Sequence, residues 1–204
     1  MMKKKIYFTG SVFRFYVPEI SKYAFCKFFD FKHLSVQGLI AQVFDRFEDT
    51  EDDTIDLKAC DYLFGPRSMY RWPNLRKDTD WKLLGILNSA ADDIVPDFKD
   101  VQAFPTVVAD ESTIFPWYPI HNLTRRGTNC AYEQVRHLEQ MIITTSSLGL
   151  VWRTGMEYCR INGLKVEDYY DLNNDGIKSM YLQMINVPIY KNIPKEIRGK
   201  AICR

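Results

Sequence analysis

One stretch of the sequence has the residue spacing of a calcium-binding loop. Asp171, Asn173, Asp175 and Gly176 match the first six positions of an EF-hand, in which carboxylate and amide oxygens surround the ion. The twelfth position of this stretch is Leu182, so the bidentate glutamate that completes such a site is missing. We therefore interpret the stretch as a turn in which Asp175 caps the following helix.

The histidines and cysteines are scattered and form no metal-binding motif. The sequence has three histidines and five cysteines, without an H-x-x-x-H or C-x-x-C spacing, so we predict no metal and no cofactor. An odd number of widely spaced cysteines is typical of free thiols in a reducing compartment. Glu133 and His137 are four residues apart, which predicts an ion pair on an exposed helix face. A catalytic pair of Cys130 with His121 stays open as an alternative.

The densest charged stretch runs from Asp45 to Asp56, where seven of twelve residues are acidic. This run interrupts the strand pattern and predicts an exposed loop. It is either a solvated surface or a docking surface for a basic protein partner, because opposite potentials speed association. Tyrosine and tryptophan in the following proline-bearing segment are either core residues or interface anchors. The candidate partner-binding residues are Asp49, Glu51, Asp52, Asp53, Tyr70 and Trp72.

The N-terminal half has the composition of β-strands. Val12 to Val17 is rich in β-branched and aromatic residues, and Pro18 cannot continue a strand ladder. Tyr23 to Phe31 has no cleanly polar face, which predicts burial on both sides for part of its length. A third run begins at Leu39. Three strands with short links predict an antiparallel meander, as a small barrel or a curled sheet. Further strands are predicted at Trp81 to Leu87, Thr106 to Val108 and Thr113 to Phe115, and a short helix at Asn88 to Asp93.

The hydrophobic period changes from two to 3.6 near His121. We predict helices from Ala131 to Ile142, from Val151 to Ile161 with Asn162-Gly163 as its end, and at Val166 to Leu172 and Ile177 to Ile185. The predicted fold class is α+β. An antiparallel β-rich region spans residues 1–120, and a mainly helical extension, residues 121–204, packs on it as part of one structural domain.

Composition excludes several function classes. Hydrophobic residues make up 46% and charged residues 26% of the chain, which indicates a globular protein rather than a disordered one. The net charge of +1 gives no support for binding to nucleic acid or membranes. The N-terminus has only a three-residue apolar run, Ile6 to Phe8, too short for a signal peptide. No run has the length of a transmembrane helix. We therefore expect a cytoplasmic protein.

Short hydrophobic motifs in the first half of the chain resemble a known family. The motifs are Gly10 with Val12, Phe13 and Phe15, then Tyr23-Ala24-Phe25, Phe29-Asp30-Phe31 and Trp81-Lys82-Leu83-Leu84-Gly85. Together they resemble the immunity protein 26 family, whose members are associated with bacterial polymorphic toxin systems. The resemblance implies a bacterial immunity protein that neutralises a cognate toxin by direct binding, for example a basic nuclease.

The sequence is also compatible with two functions other than toxin binding. The first is a small enzyme of unknown reaction, with a site between the two halves. The second is a non-enzymatic barrel module that binds peptide or nucleic acid through the basic and aromatic segment from Arg67 to Lys77. Because no G-x-S-x-G, P-loop or dinucleotide-binding motif is present, we favour an interaction protein over an enzyme.

Overall fold

A computed structural model of the chain describes residues 7–35, 37–78, 80–89, 94–101, 117–121, 125–126, 130–141 and 145–202. Eight strands are present in these ranges: β1 (Ser11–Val17), β2 (Lys22–Asp30), β3 (Leu39–Glu48), β4 (Arg67–Ser68), β5 (Trp81–Ile86), β6 (Phe98–Val101), β7 (Trp117–His121) and β8 (Arg125–Arg126). The two α-helices are α1 (Ser147–Ile161) and α2 (Asp175–Ile185). The α+β class predicted from the sequence is confirmed.

The first three strands form the predicted antiparallel meander. Phe13 pairs with Cys26 between β1 and β2, and Cys26 pairs in turn with Val43 of β3. Pro18 ends β1 and opens a single 3-10 turn, as expected of a residue that cannot donate to the ladder. With β4 and β5 at the edges, the five-stranded sheet has the order β4-β3-β2-β1-β5.

Both faces of this sheet are covered. On the inner face, Phe13, Phe15 and Phe28 pack with Trp81 and with Leu150 of α1. On the outer face, the segment after β3 covers the sheet by packing Leu57 against Val12, Phe25 and Phe44. This double burial explains why β2 has no polar face, and it confirms that prediction.

The helices are capped by side chains, and a glycine lets α1 pack closely against its neighbours. Ser146 accepts a hydrogen bond from the Gly149 amide at the start of α1. Gly155 lets α1 lie against its neighbours: an added Cβ there would be 1.9 Å from Tyr170 Oη and 2.9 Å from Val17 Cγ1. Asn162 and Gly163 end α1 as predicted, with Gly163 at a φ of +69°.

The acidic stretch and the predicted C-terminal helices need four corrections. Asp45 to Glu48 belong to β3, so the acidic loop begins at Asp49. Asn174 rather than Asp175 caps α2; its side chain accepts from the Gly176 and Ile177 amides. The helix predicted from Ala131 is wrong, because only Tyr132–Gln134 form a 3-10 turn. The helix predicted at Val166 to Leu172 is reduced to the 3-10 turn Val166–Asp168.

The missing helix after Ala131 has a physical cause. Lys99 of β6 donates its amide to the Glu139 carbonyl over 3.0 Å, and Met141 donates to the Lys99 carbonyl over 3.0 Å. These long-range bonds hold the segment in extended conformation and override its helical spacing. The three-stranded sheet β6-β7-β8 is joined to the rest of the chain in this way. The strands predicted at 106–108 and 113–115, and most of the helix predicted at 88–93, lie outside the described residues.

Candidate functional site

The acidic loop, defined as residues 49–56, is tied to the sheet by cations from three strands. Arg14 of β1 donates to Asp53 over 2.6 Å and also to Glu51. Lys22 of β2 pairs with Asp49, and Lys82 of β5 pairs with Asp53. Arg14 is only 5% exposed and its guanidinium lies over the Tyr23 ring at 4.9 Å. The loop is therefore anchored on a buried arginine.

The anchored carboxylates still face solvent. The side chains of Asp49, Glu51 and Asp53 are 80%, 61% and 41% exposed. Asp52 has a different role: one of its oxygens accepts from both the amide and the hydroxyl of Thr54, each over 2.8 Å. These hydrogen bonds lower the pKa of Asp52, so its carboxylate stays ionised and holds the turn. The predicted site residues 49, 51, 52 and 53 thus form one ordered acidic surface, in which Asp52 is half-buried and the other three are exposed.

The loop continues into an apolar underside that holds it to the sheet. Leu57 is buried, and Ile55 and Leu84 are packed around the same cluster on the outer face. A cavity of about 210 Å³ lies here between the loop and β5, with Asp53 and Asp56 on its edge. Because both ion pairs and apolar contacts fix the loop, its carboxylates are preorganised.

The two aromatic candidates are separated by the structure. Tyr70 is 69% exposed, and its amide donates to the Thr145 carbonyl beside the start of α1. Trp72 is half-buried and belongs to the inner core, where its ring stacks on Phe28 with centroids 5.1 Å apart. Tyr70 is accessible to a partner, whereas Trp72 mainly packs the sheet. Neither is among the residues that anchor the acidic loop.

A buried chain of arginines and glutamates joins the sheet to the helices, and sequence reasoning missed it. Arg67 of β4 donates to Glu139 over 2.9 Å, and Arg153 donates to the other oxygen of Glu139 over 3.1 Å. Arg153 also pairs with Glu157, which accepts from Arg160. The sequence carried one sign of these ion pairs. Arg153, Glu157 and Arg160 are spaced by four and three residues on a predicted helix, and side chains at these spacings lie next to each other.

These arginine and glutamate side chains are almost completely shielded from solvent. Arg67, Glu139, Arg153 and Glu157 are at most 2% exposed, and the Arg153 guanidinium lies over the Phe64 ring at 4.5 Å. Burial by itself would raise the pKa of Glu139, but Arg153 and Arg67 outweigh it and lower that pKa. The carboxylate is therefore ionised at neutral pH. Arg67 also donates to Gln183 of α2 over 2.6 Å, so the chain joins β4 to both helices.

Lys99 is a further buried cation near Glu139. Its ammonium donates to the carbonyls of Arg136 and Asn186 over 2.9 and 2.8 Å. Burial lowers the pKa of Lys99 to about 7, and the nearby Glu139 carboxylate opposes this shift. The contacts tie β6 to the segment before α1 and to the end of α2.

The remaining motifs have structural roles in the described part of the chain. His137 is buried and its Nε2 lies 2.7 Å from the Lys200 carbonyl oxygen, so the surface pair predicted for Glu133 and His137 is wrong. Cys26 and Cys159 are buried, and burial raises the pKa of both thiols. Within the described ranges, no group of three or more His, Cys, Asp or Glu side chains could hold a metal ion.

Comparisons with known proteins give no relative for this chain. No protein-family model, curated protein or solved structure matches it significantly. Neither helix in the described part of the chain has the length and apolar character needed to cross a bilayer.

Proposed function

We propose that this chain is an immunity protein that neutralises a bacterial toxin by direct protein–protein binding, with the acidic loop as its docking surface. The observation that carries the proposal is the anchoring of this loop. Asp49, Glu51 and Asp53 are each held by a cation of the sheet while much of each side chain stays exposed. A flexible acidic tail would lose conformational entropy on binding, whereas this surface is already ordered.

The chemistry of the loop favours a basic partner. Five carboxylates lie in residues 49–56, and the three anchoring cations Arg14, Lys22 and Lys82 lie beneath or beside them. The outward charge is therefore negative. Toxins that act on nucleic acids present positive surfaces to phosphates, and a surface of opposite sign accelerates encounter and disfavours wrong partners. We propose that the partner is a cytoplasmic toxin of this kind.

The resemblance to the immunity protein 26 family supports the same proposal. The segments that carry it lie in β1, β2 and β5, which are adjacent in the sheet. Arg14, Lys22 and Lys82, the anchors of the acidic loop, come one from each of these strands. The motif strands and the candidate docking surface are thus parts of a single structural unit.

The structure gives less support to the two alternatives. In the described residues, the contact between the sheet and the helices is filled by the arginine–glutamate chain, where an enzyme would need an open site. Arg67, the first residue of the basic and aromatic segment, is buried among these side chains, whereas Tyr70, Arg71, Arg76 and Lys77 of the same segment are exposed. We favour toxin binding because the acidic loop is the surface that cations of the sheet hold in place.

The test asks whether this chain protects cells from a candidate toxin domain, which is sought among the genes next to its own. The toxin domain is expressed alone, with the unchanged protein, and with Asp49→Asn/Glu51→Gln/Asp53→Asn. We expect the unchanged protein to restore growth and the triple variant to lose much of that protection. With purified proteins, association should slow by about tenfold at low salt and depend less on ionic strength.

A matched control removes the same number of charges elsewhere. Glu133→Gln/Glu167→Gln/Asp168→Asn changes three exposed acidic residues outside the loop. We expect this variant to protect cells and to associate like the unchanged protein. Failure of the unchanged protein to bind the toxin would refute the immunity function. If both triple variants protect cells and associate like the unchanged protein, the acidic loop is not part of the docking surface.

A further inference from the structure

A second feature of the outer face is a cleft of about 240 Å³ under the C-terminal segment. The segment after α2 reaches the end of β2 and the start of β3, where Tyr190 and the 195–200 stretch line the cleft together with strand residues. The acidic loop contacts β2 at Lys22 and Tyr23, whereas the cleft lies at the other end of the strand, at Phe29 and at Phe31 just after it. The two sites are about 20 Å apart along the strand, at roughly 3.3 Å per residue.

The floor of the cleft is apolar and largely aromatic. The Phe29 and Phe31 rings are nearly parallel, with an interplanar angle of 8° and centroids 6.4 Å apart. Ile40 extends this floor, and the rings of Tyr62 and Tyr190 line its sides. Apolar, aromatic walls of this kind are typical of small-molecule sites, where they bind a flat apolar body.

The rim of the cleft is basic. Lys195, Arg198 and Lys200 all line it. Arg198 is used structurally: it donates to both oxygens of Asp61 over 2.8 and 3.0 Å and to the Ile193 carbonyl over 2.9 Å. Lys195 and Lys200 are exposed, and within the described ranges their ammonium groups donate to no protein group. Two ammonium groups are therefore available to an anion at the mouth of an aromatic cleft.

One hydroxyl group inside the cleft adds a polar contact. Tyr190 is buried, its ring lies 4.7 Å from the Arg198 guanidinium, and its hydroxyl is hydrogen-bonded to the Gln42 side chain. Burial raises the pKa of Tyr190 to about 12, so the phenol keeps its proton at neutral pH. The neutral phenol therefore adds a polar group to the cleft without adding a negative charge that would oppose an anion.

We propose that this cleft binds a small organic carboxylate with a flat apolar body. The body lies on Phe29 and Phe31, and the carboxylate faces Lys195 and Lys200 at the rim. The cleft is smaller than the roughly 300–1,000 Å³ of drug-sized ligand sites, so the ligand has about a dozen non-hydrogen atoms. The proposal is independent of toxin binding, because it uses other residues at another end of the sheet.

The experiment compares two ligands of the same shape on the unaltered protein. Naphthalene-2-carboxylate and its neutral isostere 2-naphthamide are titrated by calorimetry and by ¹H–¹⁵N correlation spectra. We expect saturable binding of the carboxylate, about tenfold tighter than that of the amide, because a charge-assisted hydrogen bond is lost in the amide. The amide resonances of β2 near Phe29 and of residues 195–200 should shift.

Variants assign the charge recognition to the rim. Lys195→Gln/Lys200→Gln should weaken carboxylate binding by about tenfold and leave amide binding unchanged. Lys178→Gln, an exposed lysine on α2, is the control and should bind both ligands like the unaltered protein. Equal affinity for the two ligands, no saturable carboxylate binding below about 1 mM, or shifts confined to other surfaces overturns the proposal. If the double variant does not fold, the comparison of the two ligands on the unaltered protein still tests the proposal.

Discussion

Arg67 and Glu139 are 72 positions apart in the chain, and the guanidinium of the first donates to the carboxylate of the second over 2.9 Å inside the protein. Glu139 also accepts from Arg153, so one carboxylate serves two arginines from different elements. Replacing both charges of a buried pair often changes stability little. Replacing only one leaves the other buried without a counter-charge, which is destabilising. Glu139 is therefore the residue on which the contact between sheet and helices depends most.

We expect Glu139→Gln to lower the free energy of unfolding by about 3–5 kcal/mol, because Arg67 and Arg153 would remain buried without their shared counter-charge. Urea unfolding followed by tryptophan fluorescence measures the change. Glu133→Gln, at an exposed position on the 3-10 turn before Glu139, is the control and should unfold like the unaltered protein. A loss of unfolding free energy below about 1 kcal/mol would show that water, or a rearrangement of nearby side chains, satisfies the two arginines.

The buried ammonium of Lys99 predicts a pH dependence of stability. Burial holds its folded pKa near 7, below the unfolded value of 10.5, so the unfolded chain binds more protons between these values. By linkage, stability rises as pH increases above 7, with a slope approaching about 1.4 kcal/mol per pH unit. Urea unfolding between pH 7 and pH 8 measures this slope, because thiols with an ordinary pKa of about 8.5 are still mostly protonated in that range.

Lys99→Met provides the comparison for this slope, since it removes the titrating group from a buried position. We expect the slope to flatten in Lys99→Met and to persist in Lys178→Met, which changes an exposed lysine on α2. Identical slopes in all three proteins would mean that Lys99 stays protonated throughout this range, held by the Arg136 and Asn186 carbonyls and the Glu139 charge.

Arg14→Met should release the acidic loop. The substitution removes the buried cation that binds Glu51 and Asp53, while the side chain keeps its apolar contact with the sheet. We expect a glutamate-specific protease to cleave after Glu51 several-fold faster, because cleavage follows the open population of a segment. Peptide mass mapping over time measures the rate.

Two internal references separate loop release from general unfolding. Cleavage after the exposed Glu167, far along the chain, should keep its rate in Arg14→Met. Arg46→Met, which removes the half-exposed partner of Glu48, should leave cleavage after Glu51 unchanged. Faster cleavage at both glutamates would indicate that Arg14 supports the whole sheet rather than the loop.

The two aromatic candidates should respond differently to truncation. Trp72→Ala is expected to cost about 2–3 kcal/mol of unfolding free energy, because the ring packs on Phe28, Phe13 and Tyr7 in the core. Tyr70→Ala should leave stability unchanged, since its side chain is mostly exposed. Thermal unfolding of both variants measures the difference. A similar loss in both would place Tyr70 in a structural contact as well.

Short-range pattern was enough to predict the main sheet, but not the contacts that organise the site. Alternating and aromatic residues in β1 to β3 predicted their strands correctly, because strand composition and Pro18 act locally. The acidic loop was predicted as exposed, yet its anchors Arg14, Lys22 and Lys82 could not be, because they meet it only through the pairing of three strands.

The errors after Ala131 have the same origin. The helical spacing of Tyr132 to Ile142 is real, but backbone bonds from Lys99 hold residues 139 and 141 in extended conformation. Similarly, the spacing of Arg153, Glu157 and Arg160 on α1 was visible, but their burial depends on Arg67 and Glu139 from distant segments. Exposed helix faces carry the same charge pattern, so spacing alone does not separate the two cases.

The close approach at Gly155 also determines how α1 can sit along its own axis. A slip by one residue would bring Thr154 or Met156 to the point where a single added carbon already lies 1.9 Å from Tyr170 Oη. The same slip would move Arg153 away from Glu139, its partner outside the helix. The steric contact at Gly155 and the ion pair of Arg153 therefore favour the same register of the helix. Each of them disfavours a helix that has slipped by one residue.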